Sequence, residues 1–208
     1  MKLTSLPVTE LIAAFRSTNP TPGGGSAAAL AGAMGAALLA MVAAMPKNRA
    51  GSEEDVDRLA AAAERCGALS EALVDLVDRD SAAYEAVVAA YRLPKGSEEE
   101  KAERKGRIQL ATKVAADAPL EAMRRAAEGL ETAAVVARFG NVNAASDVEV
   151  ALELLTAAQR GARANVEINL SSIEETAYAA RMGAEVARLA QECEAAAAAA
   201  RQAAAQQG

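Results

Sequence analysis

Asn19-Pro20-Thr21-Pro22-Gly23-Gly24-Gly25-Ser26-Ala27-Ala28-Ala29-Leu30-Ala31-Gly32-Ala33-Met34-Gly35 is the stretch around which the rest of the chain is organised. Two prolines and three glycines make a loop almost without side chains, and Ser26 is placed to cap a helix through its hydroxyl. From Ser26 to Met45 there is no charge and no proline. A bare loop feeding a helix start offers unpaired N–H groups and a positive dipole end to an anion. Gly32 and Gly35, flanked by alanines, give the helix a small face that other helices can approach closely. Two plainer readings compete. Roughly twenty uncharged residues suffice to cross a bilayer. Against that, Ala and Gly carry weak transfer energy, and no Trp or Tyr flanks the run as an interfacial anchor. A helix this apolar is expected as the buried centre of a bundle. The glycines taken alone are equally compatible with a flexible turn.

Composition narrows the class. The 208 residues suffice for one domain with a sizeable core, expected as a single unit over residues 1–208. A net charge of −6 argues against nucleic acid as a partner, and 2% aromatics without Trp leave no platform for stacking bases. Much of the apolar content is alanine, without β-branched runs, which reads as helix. The expected fold is all-α, an antiparallel helical bundle of long Ala-rich helices around a buried central helix, with no membrane partner. There is no histidine, so Ser–His and Cys–His pairs and His-ligated metals are excluded. Cys66 and Cys193 are too few for a thiolate zinc site. A reduced, cytoplasmic setting is the default for two such cysteines, and no signal peptide is expected, since the apolar run begins late and Glu10 precedes it. Chemistry falls to carboxylates, lysines, amides, hydroxyls and backbone, with no metal and no prosthetic group expected.

Along the chain, Thr9 is placed to cap a short helix to about Ser17, with Leu11, Ile12 and Phe15 on one face. Pro46 ends the central helix. Ser52 caps a long one to Arg92, its first turn acidic and Gly67 its weakest point. Leu93-Pro94-Lys95-Gly96 breaks the pattern, and Ser97 with Glu100 forms a capping box. Pro119 predicts a kink or restart near Ala118. Gly140-Asn141-Val142-Asn143 is a stop, Ser146 or Asp147 caps a helix to about Leu170, and Ser171 and Ser172 cap the last one, whose tail is Ala195–Gln207.

Few residues stand out chemically. Asp80 shares a helix face with Tyr84, Val87 and Tyr91, an unusual place for a carboxylate, whereas Asp78 reads more simply as a solvated side chain. If the first two long helices form a hairpin, Ser26 lies about 28 Å below Met45, level with roughly residue 71, so Asp78 and Asp80 fall just past the glycine loop. Lys95 lies ~22 Å beyond Asp80. Asp147 reads equally as a cap or as a site residue. Asn165 and Asn169, spaced four apart, need partners in an alanine bundle; inter-helix hydrogen bonds are the plainer explanation, with ligand contact the alternative.

Taken together, Pro20–Ser26, Leu76–Tyr84, Leu93-Pro94-Lys95 with Glu99-Glu100, Ala118-Pro119-Leu120, Gly140-Asn141 through Ser146-Asp147, and Gly161-Ala162 through Asn165–Leu170 resemble the formiminotetrahydrofolate cyclodeaminase / methenyltetrahydrofolate cyclohydrolase family. These pieces run in the family's order and cover almost the whole chain. The chain departs at Pro46-Lys47-Asn48-Arg49, where the family often has a threonine and a glycine–basic pair. The resemblance implies an all-helical homodimer acting on a tetrahydrofolate derivative, by hydrolysis of methenyltetrahydrofolate to formyltetrahydrofolate or by cyclising deamination of formiminotetrahydrofolate. Some members join this unit to a formiminotransferase half that is absent here. Either reaction passes through a tetrahedral carbon between two nitrogens and needs an acid/base and a negative group near an amidinium-like cation. Asp80 and Asp147 are the catalytic candidates, with Asp78 behind them. Pro22, Gly23, Gly24, Gly25 and Ser26 would bind a pterin edge or a glutamate carboxylate, Lys95 the polyglutamate tail, and Asn141, Asn165 and Asn169 the rest of the substrate. The alternative is a helical-bundle protein of the same fold that binds folate or a partner without turnover.

Overall fold

The computed structural model of the protein describes residues 2–206. After a 3-10 turn at Leu3–Ser5 come α1 (Val8–Phe15), α2 (Gly24–Ala44), α3 (Glu53–Tyr91), α4 (Glu98–Phe139), a second 3-10 turn at Val142–Ala144, α5 (Ala145–Leu170) and α6 (Thr176–Ala205). No strand occurs among the described residues. The expected tail residue Gln207 lies outside them.

Two helix starts follow their sequence signals. Ser52 accepts from the Asp55 N–H, and Ser97 and Glu100 form the reciprocal capping box. Elsewhere the starts move. Pro7, not Thr9, precedes α1, where proline's fixed φ suits a first turn; Leu11 is buried, while Ile12 of the expected apolar face is exposed. Ser26 is no cap: α2 begins two residues earlier, at Gly24. Neither Ser146 nor Asp147 caps α5, because the Asn141 side chain accepts from the Asn143 N–H and starts the turn upstream of both. Ser171 and Ser172 close α5 rather than open α6. The α5–α6 loop is held by Gln109 of α4, whose amide donates to the Ser172 carbonyl (3.0 Å) and accepts from the Glu174 N–H (2.9 Å).

α4 runs unbroken through Pro119 instead of restarting there. A proline inside a helix leaves the carbonyl four residues back without its N–H. Here that carbonyl is Ala115's, and the side-chain amide of Asn169 on α5 donates to it at 3.1 Å. Neighbouring packing thus supplies what the helix lacks.

The long helices alternate in direction. The Ser70 hydroxyl of α3 donates to the Ala33 carbonyl of α2, and Ser26 of α2 reaches Val77 of α3, an antiparallel pair. α4 packs antiparallel to α3 through Arg65–Glu128 and parallel to α6 through Lys113–Glu175 and Arg124–Glu185. The α2–α3 register differs from the simple hairpin count: Ser26 is level with Val77 to Ser81, not residue 71. The reason is the 46–52 connection, pinned by the Arg49 N–H to the Phe139 carbonyl, which lets the largely exposed first turns of α3 overhang the end of α2.

α2 packs on α3, α4 and α5 along a seam of small residues. A Cβ on Gly32 would sit 3.1 Å from that of Ala158, and one on Gly35 would sit 2.9 Å from the Ala151 carbonyl oxygen. α2 is long and apolar enough to cross a membrane by length and composition, with half of it buried in this bundle. Its other side is open: Ala27, Met34, Ala37, Met41 and Ala44 are exposed.

Candidate active site

The α2 N-terminus offers its orphan N–H groups at Gly24, Gly25 and Ser26. The anion that occupies it is internal. The Asp80 carboxylate of α3 accepts from the Ser26 hydroxyl at 2.9 Å and faces the Ser26 backbone N–H. It lies so close over Gly25 that an added Cβ would meet Oδ1 at 2.1 Å. Asp80 therefore acts as the cap that Gly23 cannot provide. The completely buried Ser26 hydroxyl also lies 3.0 Å from the Ser81 hydroxyl and 2.9 Å from the Val77 carbonyl. Burial pushes the Asp80 carboxyl above its ordinary value, and the Ser26 hydrogen bonds hold it back in part.

Asp80 borders a cavity of about 360 Å³ lined also by Gly23, Gly24, Gly25, Tyr84, Asn165 and Asn169. The asparagine amides are oriented by carbonyls: Asn165 Nδ2 donates to Gly161 O at 2.8 Å, and Asn169 Nδ2 to Asn165 O at 2.9 Å. No protein donor reaches either Oδ1 among the described residues, so each remains an acceptor. Ala115 and the exposed Ile168 add apolar surface to the lining. Gly24 closes on Asn165: a Cβ there would stand 3.3 Å from Nδ2. Gly24→Val would push branched carbons into that amide and the cavity. We expect binding of the tetrahydrofolate derivative that the resemblance implies to weaken about tenfold or more, the worth of a disturbed polar contact and a filled pocket together, with the helical CD signal kept. Unchanged binding by equilibrium dialysis would remove the loop from the site.

Other candidates lie elsewhere. Asp78 accepts from the Leu3 N–H at 2.5 Å and the Thr4 hydroxyl at 2.7 Å, pinning the N-terminal segment. With Pro22 it lines a neighbouring hollow on the other side of the loop. Lys95 is exposed on the α3–α4 turn. Asn141 donates to the Pro46 carbonyl at 2.7 Å, at the C-terminal end of α2 and thus the end away from the glycine loop. Asp147 is in the first turn of α5, about 27 Å along that helix from Asn165. Within the single chain, Asp147 and Asn141 are therefore not brought to Asp80. Ser81 and Ala115 were not singled out by the sequence; Ser81 lies within the Leu76–Tyr84 stretch but nothing there marks its hydroxyl as meeting Ser26, and Ala115 contributes only a carbonyl.

A family model described as formiminotransferase-cyclodeaminase matches residues 7–188. The chain belongs to this family. Within the cyclodeaminase family, it is 40% identical over 163 residues to a methenyltetrahydrofolate cyclohydrolase of Methylorubrum extorquens, covering 78% of each chain. It is 33% identical over 186 residues to the formimidoyltransferase-cyclodeaminase of Sus scrofa, covering 89% of this chain but only 34% of that protein. The crystal structure of formiminotetrahydrofolate cyclodeaminase from Thermotoga maritima superposes with a TM-score of 0.87 at 28% identity, covering 99% of this chain and 98% of that one. The helical bundle described above is therefore the cyclodeaminase fold.

Proposed function

We propose that the protein is a folate one-carbon enzyme that hydrolyses methenyltetrahydrofolate to formyltetrahydrofolate. The observation that carries this reading is the Asp80 carboxylate, held against bare backbone at the wall of a cavity whose other polar side chains, Thr21, Tyr84, Asn165, Asn169 and Ser172, are all neutral. The substrate carries a delocalised cation on an amidinium-like carbon. A carboxylate beside it stabilises that charge, and its raised pKa makes it a better base for the attacking water. Water adds to the carbon and gives one proton to Asp80; Asp80 passes that proton to one ring nitrogen as its C–N bond breaks, and the remaining hydroxyl proton leaves to solvent as the formyl C=O forms. Asn165 and Asn169 face the substrate's N–H groups, and Tyr84 covers the open side. Lys95, on the exposed turn, suits a polyglutamate tail.

The similarity to a cyclohydrolase over 78% of both chains favours hydrolysis. The fold match to a cyclodeaminase supports a second reading, in which the same carboxylate serves ring closure of formiminotetrahydrofolate with loss of ammonia. An absorbance assay separates them: methenyltetrahydrofolate is consumed in the first case and formed from the formimino compound in the second. Neither change would leave a non-catalytic folate-binding protein.

The proposed active form is a homodimer. Ala27, Met34, Ala37, Met41 and Ala44 are exposed at spacings of seven, three, four and three, a charge-free stripe of the kind that pairs helices. Met34→Glu, which puts a charge in this stripe, is expected to halve the mass measured by light scattering at micromolar concentration. A monomeric parent protein would sink this reading. The two cysteines, both free and buried, support a reducing, cytoplasmic setting.

A further inference from the structure

Pro119 lies in the middle of a 42-residue helix, is itself buried, and lies four residues beyond an alanine that lines the candidate cavity. Its ring removes the N–H that would bond the Ala115 carbonyl. That carbonyl is taken by Asn169, whose second N–H goes to the Asn165 carbonyl. Both amide hydrogens of Asn169 are thus committed to carbonyl oxygens on two different helices. Turning the amide over would set Oδ1 against both of those oxygens, an arrangement with no hydrogen bond and strong repulsion. The amide therefore has one orientation, with Oδ1 left free for a ligand.

We propose that Pro119 is a positioning residue for the cavity: by withholding its own N–H it makes the Ala115 carbonyl an anchor that locks Asn169 with its Oδ1 toward an N–H donor of the bound ligand. The proposal rests on the folate reading for the identity of that donor, since a pteridine ring presents N–H groups along one edge. The proline thus acts on recognition through Asn169, without touching substrate itself. Without it, a helical N–H would share the Ala115 carbonyl and weaken the Asn169 bond to it, already the longer of the two at 3.1 Å, so the amide would be held mainly at Asn165 O and could swing about it.

The test is Pro119→Ala, with Asn169→Ala and the double variant. Alanine restores the helical hydrogen bond, so the variant folds and its Tm is not lowered. KM for methenyltetrahydrofolate is expected to rise about tenfold, the worth of one misplaced polar contact, with kcat little changed. Asn169→Ala in the parent strands the Ala115 carbonyl and lowers Tm by about 3 °C, the effect of one unpaired buried acceptor in a protein of this size. In the Pro119→Ala background that carbonyl already has its partner, so Asn169→Ala should cost less than half as much. An unchanged KM in Pro119→Ala, or Tm losses that simply add, would overturn the proposal. If the parent does not turn over methenyltetrahydrofolate, the folate reading fails, and the thermal cycle still decides whether Pro119 holds Asn169.

Discussion

Asp80→Asn is expected to lower kcat by about a hundredfold or more, the usual worth of a positioned acid or base, while leaving the helix start intact. Capping and catalysis separate cleanly here. An asparagine oxygen still faces the Ser26 N–H, and Asn caps about as well as Asp. Its Nδ2 donates to the Ser26 hydroxyl, which turns its own hydrogen to the Val77 carbonyl 2.9 Å away. A role limited to capping predicts near-normal turnover. Stability adds an independent readout. The folded-state pKa of Asp80 is raised by burial above 3.8. The stabilisation linked to this group is therefore fully present below that value and is lost as pH rises through the folded pKa. At neutral pH the ionised form is a net cost, so Asp80→Asn should match or exceed the parent in Tm. That advantage should shrink as the pH is lowered and Asp80 takes up its proton. Normal rates in the variant would remove the mechanism and leave the fold untouched.

Gly25→Ala should be nearly as damaging, against the ordinary trend. Within a helix this substitution usually stabilises by about 1 kcal/mol. Here the new methyl would stand 2.1 Å from Asp80 Oδ1, with buried Ser26 beside it. The carboxylate must leave its place over the helix start, losing the Ser26 bonds and its aim into the cavity. We expect kcat to fall roughly a hundredfold, as for loss of the base itself, together with a drop in Tm. The cause can be checked by Asp80→Ala in the same chain: removing the carboxylate relieves the clash, so the double variant should melt above Gly25→Ala alone. A Gly25→Ala protein with parental activity would show that Asp80 tolerates displacement and is not the base.

The helices and the family were largely legible from residue patterns because those signals are local: a Ser with acids after it, a proline after an apolar run, a set of short motifs in order. Asp80 was legible for a related reason, being a carboxylate on an apolar stripe. What could not be read was long-range. Nothing near Ser26 says that its hydroxyl points to α3, or that the helix start it heads is filled by the protein's own carboxylate and not by a ligand. Asp147 and Asn141 stand in one of the stretches on which the resemblance was read, yet α2 and α5 run antiparallel and carry them to the far end. Pro119 reads as a break until the amide across the groove is known.

The seam where Gly32 and Gly35 meet Ala158 and Ala151 also bears on how this protein can change over time. Glycine and alanine are the smallest residues, so nearly every replacement along the seam adds atoms and none can take away more than a methyl. Drift there runs uphill in size, and each step forces helices apart that other contacts hold together. Improvement by filling voids is closed to such a core. A lineage seeking more heat tolerance would have to work elsewhere, through helix ends, connections and surface charge, and leave this seam as it is.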